Sequence, residues 1–235
     1  MSNMLLVPSL RLPTGAPSLA DAVAQAVRDG VASGELVPDR TYSVYQLAEL
    51  LGVSRSPVRD GLLRLAEAGL VAIRRNRGFT VLPPRAHDIE EIVEIRLALE
   101  PPAARKAARG GTDEEHAAIR AALDAMAAAA GRGDEAAFWP ADRALHDLLL
   151  RTAGNARAAT IVAQLRSTTA LLGPPTTAGG RTLAQIHAEH EPVVKAVLAR
   201  DGAAAERAMR THLETTGALL MARLTDRETD PVTPP

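Results

Sequence analysis

Apolar residues along the first third of the chain recur at helical spacing in three short blocks, then switch to strand-like runs. Leu19, Val23, Val27 and Val31 repeat every four residues between Ser18 and Gly34, which predicts an amphipathic helix over about 18–33. Leu47, Leu50 and Leu51 predict a second helix, introduced by Ser43 as its cap and closed by Gly52. Val58, Leu62 and Leu65 predict a third, capped by Ser54, with Pro57 tolerated in the first turn and an end near Gly69. Val71 to Arg74 and Phe79 to Leu82 then read as two short strands joined by a turn-rich tip of Arg75, Asn76, Arg77 and Gly78. Helix, helix, turn, helix, hairpin is the order of a winged helix-turn-helix domain.

Pro83 and Pro84 follow as a stiff break, and the pattern beyond them is helical throughout. Six helices are predicted, over roughly 88–109, 112–131, 134–153, 155–173, 181–200 and 202–225. Pro101 and Pro102 are expected to kink or split the first of them. The predicted organisation is an N-terminal arm over 1–17, a winged helix-turn-helix over 18–82, a linker over 83–87, an all-helical bundle over 88–225 and a disordered tail over 226–235. The fold class is therefore mainly α, with a small β-hairpin wing. An apolar share of 46%, aromatics at only 2% and alanine runs such as Ala127 to Ala130 agree with closely packed helices.

Charge changes the picture for the N-terminal part. The formal net charge of −1 conceals +3 over residues 1–85 and −4 over the remainder, and within 52–85 seven arginines stand against two acids. That stretch suits a polyanion. The helix after the turn opens with Ser54, Arg55, Ser56, Pro57, Val58 and Arg59. In a helix-turn-helix this end enters the major groove, where hydroxyls and backbone amides hold phosphates and arginine pairs bidentately with guanine. Arg55 and Arg59, one turn apart beside the buried stripe, are the predicted base readers. Arg74, Arg75, Asn76, Arg77 and Gly78 form a wing tip that would meet phosphates or the minor groove.

In the helical part, four polar side chains fall inside apolar stripes. Asp142 and His146 lie in phase with Phe138, Leu145 and Leu149; His190 with Leu183, Ile186, Val193, Val194 and Val197; His212 with Ala208, Met209, Thr216 and Leu219. Buried polar groups must be satisfied, and one carboxylate with three imidazoles is satisfied most simply by a divalent metal ion. The chain has no cysteine, so disulfides, thiolate zinc sites and cysteine nucleophiles are excluded. Nitrogen and oxygen ligands leave zinc, nickel and manganese open. Arg96, in phase with Ile89, Ile92, Val93 and Leu99, points inward, either to an effector carboxylate or to Glu100 at i, i+4. His187 is expected beside the site or partly exposed, His116 at a helix rim, His87 in the linker and Asn155 as a helix cap.

The run from Leu47 to Leu62, together with Leu65, Gly69-Leu70-Val71 and Asn76-Arg77-Gly78, closely resembles the winged-helix signature of GntR-type transcriptional regulators. Asp60-Gly61 stands where that family usually has Glu-Ala, and Pro38-Asp39-Arg40 where it has a Gly-rich turn. Gly61 should cost the helix about 1 kcal/mol relative to Ala. Downstream, Glu94-Ile95-Arg96, Leu99-Glu100, Asp142 to His146, Ala153-Gly154-Asn155, Glu189-His190 and Met209 to Leu213 resemble the FCD-type effector domain of the FadR-like branch. The resemblance implies that Asp142, His146, His190 and His212 hold a divalent metal and that a small carboxylate effector completes its coordination. It implies a non-enzymatic, metabolite-responsive homodimer, acting as a repressor on a double-stranded DNA operator. The alternatives are the same regulator without metal, and a metal-dependent hydrolase carrying a DNA-binding appendage. No segment approaches the roughly 20 apolar residues of a membrane span and no signal peptide is apparent, so a cytoplasmic protein is expected.

Overall fold

A computed structural model of the chain describes residues 10–13, 16, 18–75, 77–82, 86–172, 177 and 181–229. Asn76 and most of the predicted arm, linker and tail lie outside the described residues. The backbone divides into two units, Met1–Pro84 and Arg85–Pro235.

In the N-terminal unit, α1 spans Leu19–Ala32, α2 Val44–Leu51 and α3 Arg55–Glu67, with β1 at Thr41–Tyr42, β2 at Val71–Arg74 and β3 at Gly78–Val81. The serines before α1 and α2 cap them: Ser18 Oγ accepts from the Asp21 amide at 3.2 Å and Ser43 Oγ from the Tyr45 amide at 3.2 Å. Gly52, at φ 65°, ends α2 in the left-handed conformation that a side chain disfavours. Val23, Val27, Leu36, Val58, Leu62, Leu65 and Phe79 form the core, and Leu10 of the predicted arm is buried as well. Its side chain lies against the Gly30 backbone, so the arm is packed at this point.

Three details differ from the sequence reading. Ser54 stands at the start of α3 with extended backbone, but its side chain makes no cap hydrogen bond. A third strand, β1, completes an antiparallel sheet of order β1-β3-β2, pairing Tyr42 with Phe79. Its two residues are too few for any periodicity to register. Gly61 is no mere weak point of α3. A Cβ there would lie 2.7 Å from the Ala20 carbonyl oxygen, so glycine is what lets α3 approach α1.

The C-terminal unit is all helical: α4 Ala86–Gly110, α5 Asp113–Arg132, α6 Glu135–Thr152, α7 Ala156–Leu172, α8 Leu183–Leu198 and α9 Gly202–Thr229. Capping boxes, Thr112 with Glu115 and Thr182 with Gln185, start α5 and α8. Asn155 Oδ1 accepts from the Ala158 amide at 3.0 Å and opens α7. Ile119, Met126, Phe138, Leu145, Leu149, Val193, Val197 and Met209 make the main core.

Of the two outcomes expected at Pro101 and Pro102, the split does not occur: both lie inside one continuous helix, α4. An interior proline costs a helix about 3 kcal/mol through a lost hydrogen bond and a clash. Here α6, α7, α8 and α9 all pack on α4, and the small residues Ala103, Ala104, Ala107 and Ala108 around the prolines are buried, so packing holds the helix. It begins at Ala86, which places His87 in its first turn rather than in a linker, exposed beside Glu90 and Glu91. At the other end, α9 runs on to Thr229, four residues into the predicted disordered tail.

Candidate metal centre and nucleic-acid interface

Five helices of the C-terminal unit bring polar groups to one buried cluster. Asp142 and His146 come from α6, His190 from α8, His212 from α9, Arg96 and Glu100 from α4, and Arg166 from α7. The imidazoles of His146, His190 and His212 each offer a ligand atom within 4.8 Å of the others. Asp142 reaches two of them, its Oδ1 lying 3.2 Å from His190 Nε2 and 3.9 Å from His146 Nε2. Its other oxygen accepts a hydrogen bond from Arg166. Of the four residues sharing a stripe position, three form a triplet and the fourth flanks it while paired to an arginine.

The outer nitrogens of the rings are all committed. His146 Nδ1 donates to Glu100 Oε2. His190 Nδ1 donates to the Ile186 carbonyl at 2.8 Å, and His212 Nδ1 faces Glu189 Oε2 at 3.3 Å. A ring that donates through Nδ1 in its neutral form carries a lone pair on Nε2. His146 Nε2 and His190 Nε2 stand 3.2 Å apart, with the Asp142 oxygen as close to the latter. Two lone pairs and an anionic oxygen repel at that distance unless a cation lies among them. Two nitrogens on one tetrahedral zinc ion stand about 3.3 Å apart, so the spacing fits a shared ion. Carboxylates and carbonyls behind ligating histidines are the usual supports of such sites.

Electrostatics favour the neutral form of His146 and His212. Burial opposes charge on His146 and, with the Arg166 guanidinium nearby, lowers its pKa to about 4. Burial and the neighbouring His190 likewise hold His212 well below the ordinary imidazole range. Burial alone would raise Glu100 and Asp142, but Arg96 and His146 outweigh it for the first and Arg166 and His190 for the second, leaving both carboxyls well below their usual range. Neutral rings beside ionised carboxylates are the states in which these side chains bind metal.

Arg96 makes the local pair: its Nε donates to Glu100 Oε1 at 2.6 Å, while Nη2 is buried without a partner. Outside the cluster, His116 is a core residue and not a rim one. It is 5% exposed and its Nε2 lies 3.0 Å from the Ala107 carbonyl, against Gly111. His187 sits apart, with Glu191 3.9 Å from its Nδ1.

In the N-terminal unit, Ser54, Arg55, Ser56 and Arg59 are all exposed at the start of α3, and the stripe of Val58, Leu62 and Leu65 is buried behind them. Arg74, Arg75 and Arg77 are exposed around the wing. Gly78 has a different role from its neighbours. It sits in β3 at φ 96°, where a Cβ would fall within the Tyr42 carbonyl oxygen, so β1 demands a glycine there.

Residues 19–81 match the bacterial regulatory proteins of the gntR family, and residues 91–215 match the FCD domain. The chain belongs to the GntR family. This GntR-family regulator is 32% identical to the probable D-xylose utilization operon transcriptional repressor of Paenarthrobacter nicotinovorans, over 81% of this chain and 85% of that protein. It is 30% identical to the HTH-type transcriptional regulator LutR of Bacillus subtilis, over 78% of this chain and 92% of the relative. Among solved structures, E. coli McbR/YncC shares its fold, with a TM-score of 0.68 at 22% identity, covering 88% of this chain and 98% of the other. The protein is thus a transcriptional regulator with a GntR-type DNA-binding domain and an FCD domain.

Sequence reasoning missed Arg166, Arg181 and Glu189. Arg166 was detectable, because it continues the buried row of Ala158, Ala159 and Val162 along α7. Arg181, placed by the sequence at the start of the helix predicted over 181–200, lies two residues before α8 and pairs with Glu189. Among the described residues, no helix is long and apolar enough to cross a membrane.

Proposed function

We propose that this GntR-family protein is a homodimeric repressor whose FCD domain holds a divalent metal ion through His146, His190, His212 and Asp142. A small organic acid binds beside the ion and changes the grip on DNA. The observation that carries the reading is the pair of Nε2 atoms 3.2 Å apart on rings whose Nδ1 atoms already donate elsewhere. The bound ion would supply a Lewis-acidic centre for an effector carboxylate, and Arg96, with its unpartnered Nη2, a charged donor beside it. On the DNA side, Arg55 and Arg59 read base edges, Ser54 and Ser56 hold phosphates, and Arg75, Asn76 and Arg77 track the backbone from the wing. Repression is favoured by two relatives, the probable D-xylose utilization operon repressor and the E. coli repressor RspR, the latter 28% identical. Two copies would place two α3 helices on a near-palindromic operator, and the acid can regulate only by binding one arrangement of the dimer better than another.

The test is elemental analysis of full-length protein purified without chelator, alongside His146→Ala. About one zinc, nickel or manganese ion per chain, lost in the variant, is the expected result. Metal-free protein that still responds to an organic acid in an operator mobility shift would replace this reading with a regulator that works without an ion.

A further inference from the structure

Among the described residues, Leu63 is the one large apolar side chain that α3 exposes, at 52%, while Leu62 and Leu65 beside it are buried in the core. An α-helix turns about 100° per residue, so Leu63 falls between Arg59, four residues before it, and Ser56, seven before it. All three are exposed. The other side of α3 is taken: the Gly61 backbone lies against the Ala20 carbonyl of α1, and Arg64 pairs with Asp21. Leu63 is turned about 160° from Gly61, so it cannot join the seam between α1 and α3. Its face is the one that carries Arg55, Ser56, Arg59 and Asp60.

What an alkyl side chain can recognise from that face is narrow. Leucine has no donor or acceptor, so it pairs with neither a phosphate nor the polar atoms of a base. The apolar feature of a base edge in the major groove is the 5-methyl group of thymine, which stands out toward the protein where a short side chain meets it. Four residues of α-helix span about 6 Å, and successive base pairs rise about 3.4 Å. A leucine one turn beyond Arg59 therefore reaches a methyl one or two base pairs from the guanine with which that arginine pairs. A single exposed leucine elsewhere on the surface would need no explanation, but here docking α3 into DNA removes the side chain from water.

Building on the proposed placing of α3 in the major groove, we infer that Leu63 is a specificity-determining residue that contacts a thymine 5-methyl group in each operator half-site, beside the guanine read by Arg59. The probe is the duplex that full-length wild-type protein enriches from a random-sequence library. It is compared in mobility-shift titrations with the same duplex carrying uracil for thymine at one symmetric pair of positions at a time, a change that removes the methyl alone. Wild type, Leu63→Ala and the apolar Leu63→Met are titrated in parallel, with thermal midpoint and size in solution measured for each. At one pair of positions, within two base pairs of an enriched guanine, uracil should weaken wild-type binding about tenfold. That equals about 1.4 kcal/mol, the scale of two methyl groups buried. The same uracils should change the affinity of Leu63→Ala by less than about twofold, whereas Leu63→Met should keep a preference for thymine. Uracil penalties that are absent, or equal in wild type and Leu63→Ala at every position, overturn the methyl contact while the groove placing of α3 stands. A folded Leu63→Ala that runs as a smaller species assigns the leucine to a protein surface and overturns it likewise. If folded wild-type protein enriches no sequence, the groove reading fails, and this inference with it.

Discussion

Among the described residues, the DNA-binding domain buries one polar residue, Ser43, which caps α2, whereas the FCD domain buries Arg96, Glu100, His116, Asp142, His146, His190 and His212. The first domain keeps its chemistry on the surface: Arg55, Arg59, Arg74, Arg75 and Arg77 are exposed, over a core of Val, Leu and Phe. The second builds its chemistry into the core, where each functional atom is also a structural partner. Glu100 binds Arg96 and His146 at once, and Asp142 binds Arg166 and faces two imidazoles. An exposed arginine can change without consequence for the fold. A buried carboxylate cannot, because its removal strands a charge or a donor in the interior.

Substitutions in the two domains sharpen this contrast. The largest expected effect on stability is from Glu100→Ala, which leaves the Arg96 guanidinium and His146 Nδ1 without their acceptor. Breaking a buried ion pair from one side costs about 3–5 kcal/mol, measurable by chemical denaturation of the FCD-domain transition. A loss under about 1 kcal/mol would mean that water replaces the carboxylate and that the cluster is wetter than its burial indicates. Gly78→Ala comes next, destabilising the DNA-binding domain by about 1–3 kcal/mol, because a Cβ there collides with the Tyr42 carbonyl at a positive φ. Thermal unfolding of the variant checks it, with an unchanged midpoint counting against the β1 contact. The smallest change in stability, within about 0.5 kcal/mol, belongs to Arg59→Ala, yet this variant should lose specific operator binding in a mobility-shift assay. Sequence-specific binding that persists would remove Arg59 from the groove.

Helical phase alone was enough to turn Asp142, His146, His190, His212 and Arg96 inward, since a residue's face is a local consequence of its position along one helix. The same reasoning reaches Arg166 but not Arg181, which precedes α8 in irregular backbone. Partners were harder. Glu100 was legible as the i, i+4 neighbour of Arg96, but its contact with His146 spans 46 positions and has no local signature. Gly61 and Gly78 read locally as a weak helix position and a turn, and only the approach of Ala20 and Tyr42 shows why each must lack a side chain. The double proline of α4 left a split helix open, and only the packing of four helices on α4 shows that the local penalty is outweighed.

What the sequence by itself determined was the order of elements, the basic face of α3 and the set of polar residues turned into the core. Periodicity, caps and charge are properties of contiguous chain. What only the tertiary structure decided was which of those groups meet: the histidine triplet, the arginine opposite each carboxylate, and the donors left without partners. These depend on how helices distant in sequence pack against one another, and a distance of a few ångströms between side chains on α4, α6, α8 and α9 is set by the whole core at once.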